Sequence, residues 1–241
     1  MSTFVLVHGG GHGGWCWDLL VPLLEAAGHR VLAPTLTGLA ERAGELTAET
    51  GLDTHIADVV RLFEEEDLRD AILVGHSYGG MVVTGAADRV ASRVGWLVYL
   101  DAPQPRDGEA LASISPGLAE RIATIDLEHG IPVALRPSPE QCAMFGLTDP
   151  AHVDWALARL TPHPRKAFTD PLVLTDPVRL LALPRATIDC TALLLHRPAI
   201  LQERARECRR QWRIDAPHDL MITHPAEVAA CLLELAGPAS A

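Results

Sequence analysis

The chain has 241 residues, 48% of them hydrophobic and 21% charged, with a formal net charge of −11. That length buries a sizeable core, in one large α/β domain or two small ones. The acidic balance repels phosphate backbones, which disfavours nucleic acid, and no apolar stretch reaches the roughly 18 residues that span a bilayer, so neither nucleic acid nor membrane is an expected partner.

Taken in order, short apolar runs alternate with amphipathic stretches. The opening "MSTFVLVHGG" has no basic n-region, and its "TFVLV" (3–7) reads as a buried strand, so a cytosolic (cytoplasmic) protein is expected. "WDLLVPLLEAAGH" (17–29) reads as a helix with an irregular first turn at Pro22 and an end near Gly28. A short strand follows at 30–34. "DTHIADVVRLFEEE" (53–66) sets Ile56, Val59, Val60 and Phe63 at helical spacing. "DAILVG" (70–75) is a second buried strand, "YGGMVVTGAADRV" (78–90) a helix of small residues, and "VGWLVYLDAP" (94–103) a third strand. Strands at 185–190 and 211–215 and helices near 198–209 and 225–236 complete the pattern.

Strand-helix alternation predicts a mostly parallel sheet of about six strands with helices on both faces. The proline-rich stretch over about 103–183 breaks that rhythm and reads as a helical cap inserted into a single domain spanning 1–241. The five cysteines form no CxxC pair and are expected to be reduced and buried. The eleven histidines show no HxH or HExxH spacing, so no metal is expected, and the glycine-rich 8–15 stretch has neither a G-x-x-x-x-G-K-[ST] pattern nor the acidic residue a dinucleotide site needs, so no cofactor is expected.

Gly75-His76-Ser77-Tyr78-Gly79 is G-x-S-x-G set between a predicted strand and a predicted helix. A sharp turn there lifts the Ser77 hydroxyl above the sheet edge. Serine needs a base, usually a histidine oriented by a carboxylate. His218 and His224 both lie after the last strand; His218 sits on the loop itself, while His224 abuts Pro225 like a helix cap. His8, His12 and His76 flank the serine and are read as bonding the loops. For the acid, Asp101 at the end of a strand is favoured; Asp107, Asp189 and Asp219 are weaker alternatives. The oxyanion donors are expected to be the amides of Tyr78 and Gly10, with Gly9 next, because glycine in "HGGGHGGW" lets backbone approach a substrate oxygen. Gly9, Met144, Phe145, Trp155 and Phe168 are candidate substrate-lining residues.

These motifs resemble the α/β-hydrolase family. More narrowly, "FVLVHGGGHGGWCWDLLVPLLEAAGHRV" with "ILVGHSYGGM" resembles the plant methylesterase and hydroxynitrile lyase branch and its bacterial esterase-like relatives. The resemblance implies an α/β-hydrolase fold, Ser77 as nucleophile, Gly10 and Tyr78 as oxyanion amides and His218 as base. It places the acid in the turn after the 185–190 strand, yet "TALLLHRP" holds no carboxylate. Haloalkane dehalogenases of the same superfamily often set theirs where Asp101 stands. The lyases carry Thr or Asn at the position of Gly9 and often Lys at that of Asp219, which disfavours lyase activity here. The expected activity is a serine hydrolase acting on a small hydrophobic carboxylic ester. A lactonase, cyclase or thioesterase-like tailoring enzyme and a receptor-like small-molecule binder are the rival readings, and a homodimer is compatible with all three.

Overall fold

Several strand segments are apolar at successive positions, and burial on both sides requires this. Neighbouring residues on a strand point to opposite faces. In β1 (Thr3–Val7), Phe4 and Leu6 join one apolar cluster while Val5 and Val7 join another. The computed structural model describes residues 1–122, 126–194 and 197–236.

The chain continues through β2 (Arg30–Leu32), β3 (Ala71–His76) and β4 (Val94–Leu100), leaves the sheet for a small antiparallel unit of β5 (Asp126–Glu128), β6 (Ile131–Ala134) and β7 (His163–Pro164), and returns with β8 (Arg185–Cys190) and β9 (Arg210–Ile214). The main sheet has six parallel strands in the order β2-β1-β3-β4-β8-β9. Helices α2 (Leu52–Glu65) and α3 (Gly79–Arg89) cover one face through Ile56, Val59, Phe63, Met81 and Val82. Helix α1 (Val21–Ala26) and the helix Pro225–Leu233 cover the other through Leu24, Val228 and Leu232.

The strand order reverses between β1 and β3, the place where loops of an open α/β sheet diverge and leave a crevice. The glycine-rich loop follows β1 and Ser77 follows β3, so topology alone sets them side by side. Asp101 follows β4, the next strand across.

Two expectations are corrected. The helix read over 17–29 is confined to Val21–Ala26 and is preceded by a 3-10 turn at Gly14–Trp17. Pro22 lacks an N–H, so it fits only in the first helical turn. The insertion is not purely helical, because it holds the β5-β6-β7 sheet. Its strands have only two to four residues, and two of them contain proline (Pro132, Pro164), a residue that argues against a strand in sequence.

Other prolines in the insertion start helices. Pro139, Pro150 and Pro177 each occupy a first helical position, directly after Ser138, Asp149 and Asp176. Each of those side chains accepts a backbone N–H from the first turn. The insertion's return limb is tied to α3 by Asp88, which accepts from Thr175 N (2.7 Å), Thr175 Oγ1 (2.7 Å) and Asp176 N (2.9 Å).

Asp88→Ala leaves three donors without that acceptor and should cost about 2–3 kcal/mol. Urea unfolding checks the loss, and hydrogen exchange should show its largest rise around Thr175 and Asp176.

Candidate active site

Ser77 has φ +51°, in the left-handed region that side chains avoid. The cost is about 1–2 kcal/mol, and packing around the bend fixes it. A Cβ on Gly75 would stand 2.5 Å from Gly79 O, and one on Gly79 would stand 2.6 Å from Val7 O. Only hydrogen at both positions lets α3 start this close to β1. The bend is closed by Ser77 N–H donating to Leu100 O (3.2 Å) and Gly80 N–H to Ser77 O (2.9 Å).

Above the bend, Ser77 Oγ lies 2.9 Å from His218 Nε2, and His218 Nδ1 lies 2.5 Å from Asp101 Oδ2. The carboxylate fixes the neutral tautomer: Nδ1–H donates to Asp101 and Nε2 accepts from the hydroxyl. His76 Nε2–H donates to the carbonyl of His218 (3.0 Å) and holds its loop. Asp101 also has a left-handed backbone, φ +44°. Its carboxylate receives further donors from Cys190 N–H (3.3 Å), Cys190 S–H (3.0 Å) and Arg197 Nη2 (2.5 Å).

These contacts set the charges. Burial raises the Asp101 carboxyl, but the hydrogen bond and charge of His218, with the charge of Arg197, outweigh it and hold the group at about 2. Burial lowers His218, and the hydrogen bond and charge of Asp101, with the charge of Asp219, carry it above the ordinary imidazole value. Burial is also the main cause that lowers His8 to about 3 and His76 to about 3.

The β1 loop is pinned by imidazoles. His8 Nδ1–H donates to Gly9 O (2.9 Å), and its Nε2 accepts Leu36 N–H (3.1 Å). In a planar trans peptide the N–H points opposite to the C=O, so the Gly10 amide is turned away from His8. His12 Nδ1 contacts Gly10 O (3.0 Å), and Gly11 N–H donates to His163 Nδ1 (3.2 Å). Tyr78 directs its phenol to His55 Nδ1 (2.8 Å), away from its own backbone N–H at the start of α3.

A cavity of about 330 Å³ opens over Ser77, with Gly10, Tyr78 and His218 in its floor. Leu111, Leu118, Leu135, Met144, Phe145 and Phe168 wall it, and no Lys, Arg, Asp or Glu lines it among the described residues.

The structure thus brings Ser77, His218, Asp101, Gly10, Tyr78, Met144, Phe145 and Phe168 to one place. It sets two candidates elsewhere. Trp155 is absent from the cavity wall; its ring packs edge-on against Trp15, with centroids 4.9 Å apart, and carries Arg159 over its face. Gly9 is absent from the cavity lining, and its carbonyl is held by His8. The rival residues have other partners: Asp107 accepts Leu174 N–H, Asp189 pairs with Arg197, Asp219 pairs with His12 (3.1 Å), and His224 Nδ1 meets Thr223 Oγ1. Sequence reasoning missed His163 and Arg197. The one available signal was an arginine in the turn that lacks the expected carboxylate; residues 195 and 196 of that turn lie outside the described residues.

His76, His218 and Asp219 present ligand atoms within 4.8 Å of one another. Both His218 ring nitrogens are already engaged, by Ser77 and Asp101, so this donor set is not built to hold a metal. All five cysteines are buried and none is in a disulfide, and no helix among the described residues is long and apolar enough to cross a membrane.

Residues 4–231 match the alpha/beta hydrolase family. The carbendazim hydrolyzing esterase of Nocardioides sp. (strain SG-4G) is 41% identical over 185 residues, covering 72% of this chain and 74% of that protein. Salicylic acid-binding protein 2 of Nicotiana tabacum is 30% identical over 261 residues, covering 97% and 96%. Among solved structures, the methylesterase MES16 from Arabidopsis superposes with a TM-score of 0.80 at 26% identity, covering 97% of this chain and 98% of that one.

A carboxyl with a depressed folded value stabilises the fold above its unfolded value, about 3.9, and that contribution is lost as pH falls through about 2. The unfolding free energy of wild type, read from urea curves, should therefore exceed that of Asp101→Asn by on the order of 2 kcal/mol near pH 5–6, and the margin should close between about pH 4 and 2. Paired unfolding curves across pH 2–7 check this.

Proposed function

We propose, from the premise that this chain belongs to the alpha/beta hydrolase family, that it cleaves a small, uncharged, apolar ester by way of a Ser77–His218–Asp101 triad. At the coarser level it is a carboxylic ester hydrolase, as its esterase and methylesterase relatives are named. The observation that carries the finer reading is the unbroken hydrogen-bond chain from Ser77 Oγ through His218 to Asp101, opening on an apolar cavity.

In this mechanism His218 Nε2 takes the Ser77 proton as Oγ attacks the ester carbonyl carbon. The carbonyl oxygen becomes an oxyanion and accepts from the N–H groups of Gly10 and Tyr78, the second at the positive end of α3. Asp101 balances the imidazolium. The tetrahedral intermediate collapses, His218 hands its proton to the leaving alkoxide, and alcohol departs. Water then gives its proton to His218 and attacks the acyl-enzyme; collapse returns the proton to Ser77 and releases the acid. The wall favours apolar acyl and alcohol groups, because a fixed charge would lose its hydration with no partner in the lining.

The salicylic acid-binding relative supports a second reading, a receptor-like site that holds a small aromatic acid with little turnover. A chromogenic short-chain ester decides between them. Turnover should be blocked by a serine-directed phosphonate that labels Ser77, and tight binding of salicylate without turnover favours the receptor.

Ser77→Ala should lower turnover on the order of 10⁶-fold, and Asp101→Asn on the order of 10⁴-fold. His224→Ala should retain turnover; a silent His224→Ala beside an active His218→Ala would reverse their roles. Because His218 must be neutral to act and sits above its ordinary value, kcat/KM should rise with pH through a midpoint above about 6.5; a pH–rate profile measures it.

A further inference from the structure

Asp101 does not stand alone at the tip of β4. Arg197 comes from the turn after β8 and sets its guanidinium between two buried carboxylates. Nη2 donates to Asp101 Oδ1 at 2.5 Å, and Nη1 donates to Asp189 Oδ1. Asp189 is in turn held by Thr187 Oγ1 (3.0 Å), and the Arg197 carbonyl accepts from Gln202 Nε2 (2.9 Å). The Arg197 side chain is 9% exposed, Asp101 1% and Asp189 6%. A planar fork that bridges two carboxylates fixes direction as well as charge.

The arrangement divides the Asp101 oxygens. Oδ1 is committed to Arg197 and Cys190 N–H, and Oδ2 faces His218 and Cys190 S–H. With Oδ1 clamped, the carboxylate cannot rotate to offer His218 a different oxygen or angle.

We propose that Arg197 is a positioning residue of this active site: it aims Asp101 at His218 and offsets part of the carboxylate's charge. The inference rests on the triad reading above. The other groups facing His218 are Asp219, its neighbour in sequence; His76, bonded to its carbonyl; Ser77; and His12, reached through Asp219. Arg197 adds to these groups a positive charge that opposes protonation of His218. Removing that charge leaves the Asp101 carboxylate unopposed and makes imidazolium easier to form. His218 then stays protonated to higher pH, and fewer molecules hold the neutral base at a given pH.

The test compares Arg197→Met, Arg197→Lys and Asp101→Asn by full pH profiles of ester turnover. Arg197→Met should lower kcat about tenfold or more with little change in KM, and move the acidic limb of kcat/KM upward by roughly half a unit to one unit. Arg197→Lys keeps the charge and loses the fork, so its limb should stay near wild type while kcat recovers only in part. If Arg197→Met does not fold, Arg197→Gln with Asp189→Asn removes one charge of each sign from the bridge, and a smaller upward shift is expected, because losing the more remote Asp189 charge acts in the opposite sense. A wild-type kcat and an unmoved limb in the charge-removing variant that folds, or a wild-type kcat in Arg197→Lys, overturns the proposal. Near-normal turnover in Asp101→Asn instead removes the triad reading beneath it, so the two failures are distinct.

Discussion

The whole site depends on one tight bend. Ser77 is held at φ +51° because β3 must give way to α3 within a residue or two, directly against β1. That contact leaves no room for a side chain at Gly75 or Gly79. The strain at Ser77 is affordable because the flanking apolar runs are buried on both faces and fix the strand and helix independently. Once β1 and β3 are neighbours, the glycine-rich loop and the serine share one crevice. The hydroxyl, the Gly10 amide and the start of α3 then converge with no further device.

Burial organises the protonation states around that bend. His8, His76 and His55 are buried and driven to about 3, 3 and 4, mainly by loss of hydration. They serve as neutral hydrogen-bonding struts for the loops. His218 differs because a carboxylate lies within hydrogen-bond reach, so its raised value survives its own burial. The same kind of side chain thus plays two roles, separated by one charged partner. That partner sits in a saturated set of donors that keeps it ionised.

The insertion supplies what the sheet cannot. The crevice floor is polar backbone, one hydroxyl and imidazole; Leu111, Leu118, Leu135, Met144, Phe145 and Phe168 make the wall apolar. Short helices begun by proline after a capping Ser or Asp carry much of this segment, and Asp88 of α3 ties its return limb down. The Ser77–His218–Asp101 chain and the apolar wall therefore come from separate parts of the chain, joined at the cavity.

Local sequence determined the parallel sheet, the helices on its two faces and the bend at Ser77, because each of these is written in adjacent residues: apolar runs of strand length, 3.6-residue periodicity and G-x-S-x-G. The length of α1 and the sheet within the insertion escaped it, since Pro22, Pro132 and Pro164 act through context. Sequence order narrowed the imidazole to His218 or His224 but left several carboxylates open. Asp101 and His218 are 117 residues apart and no local pattern links them. Only the tertiary structure set the tip of β4 beside the loop after β9, placed Arg197 between Asp101 and Asp189, and moved Trp155 onto Trp15 and off the cavity wall. Those contacts arise from strand order and loop packing, so the physical reason they were illegible is that their energy belongs to pairs distant in the chain.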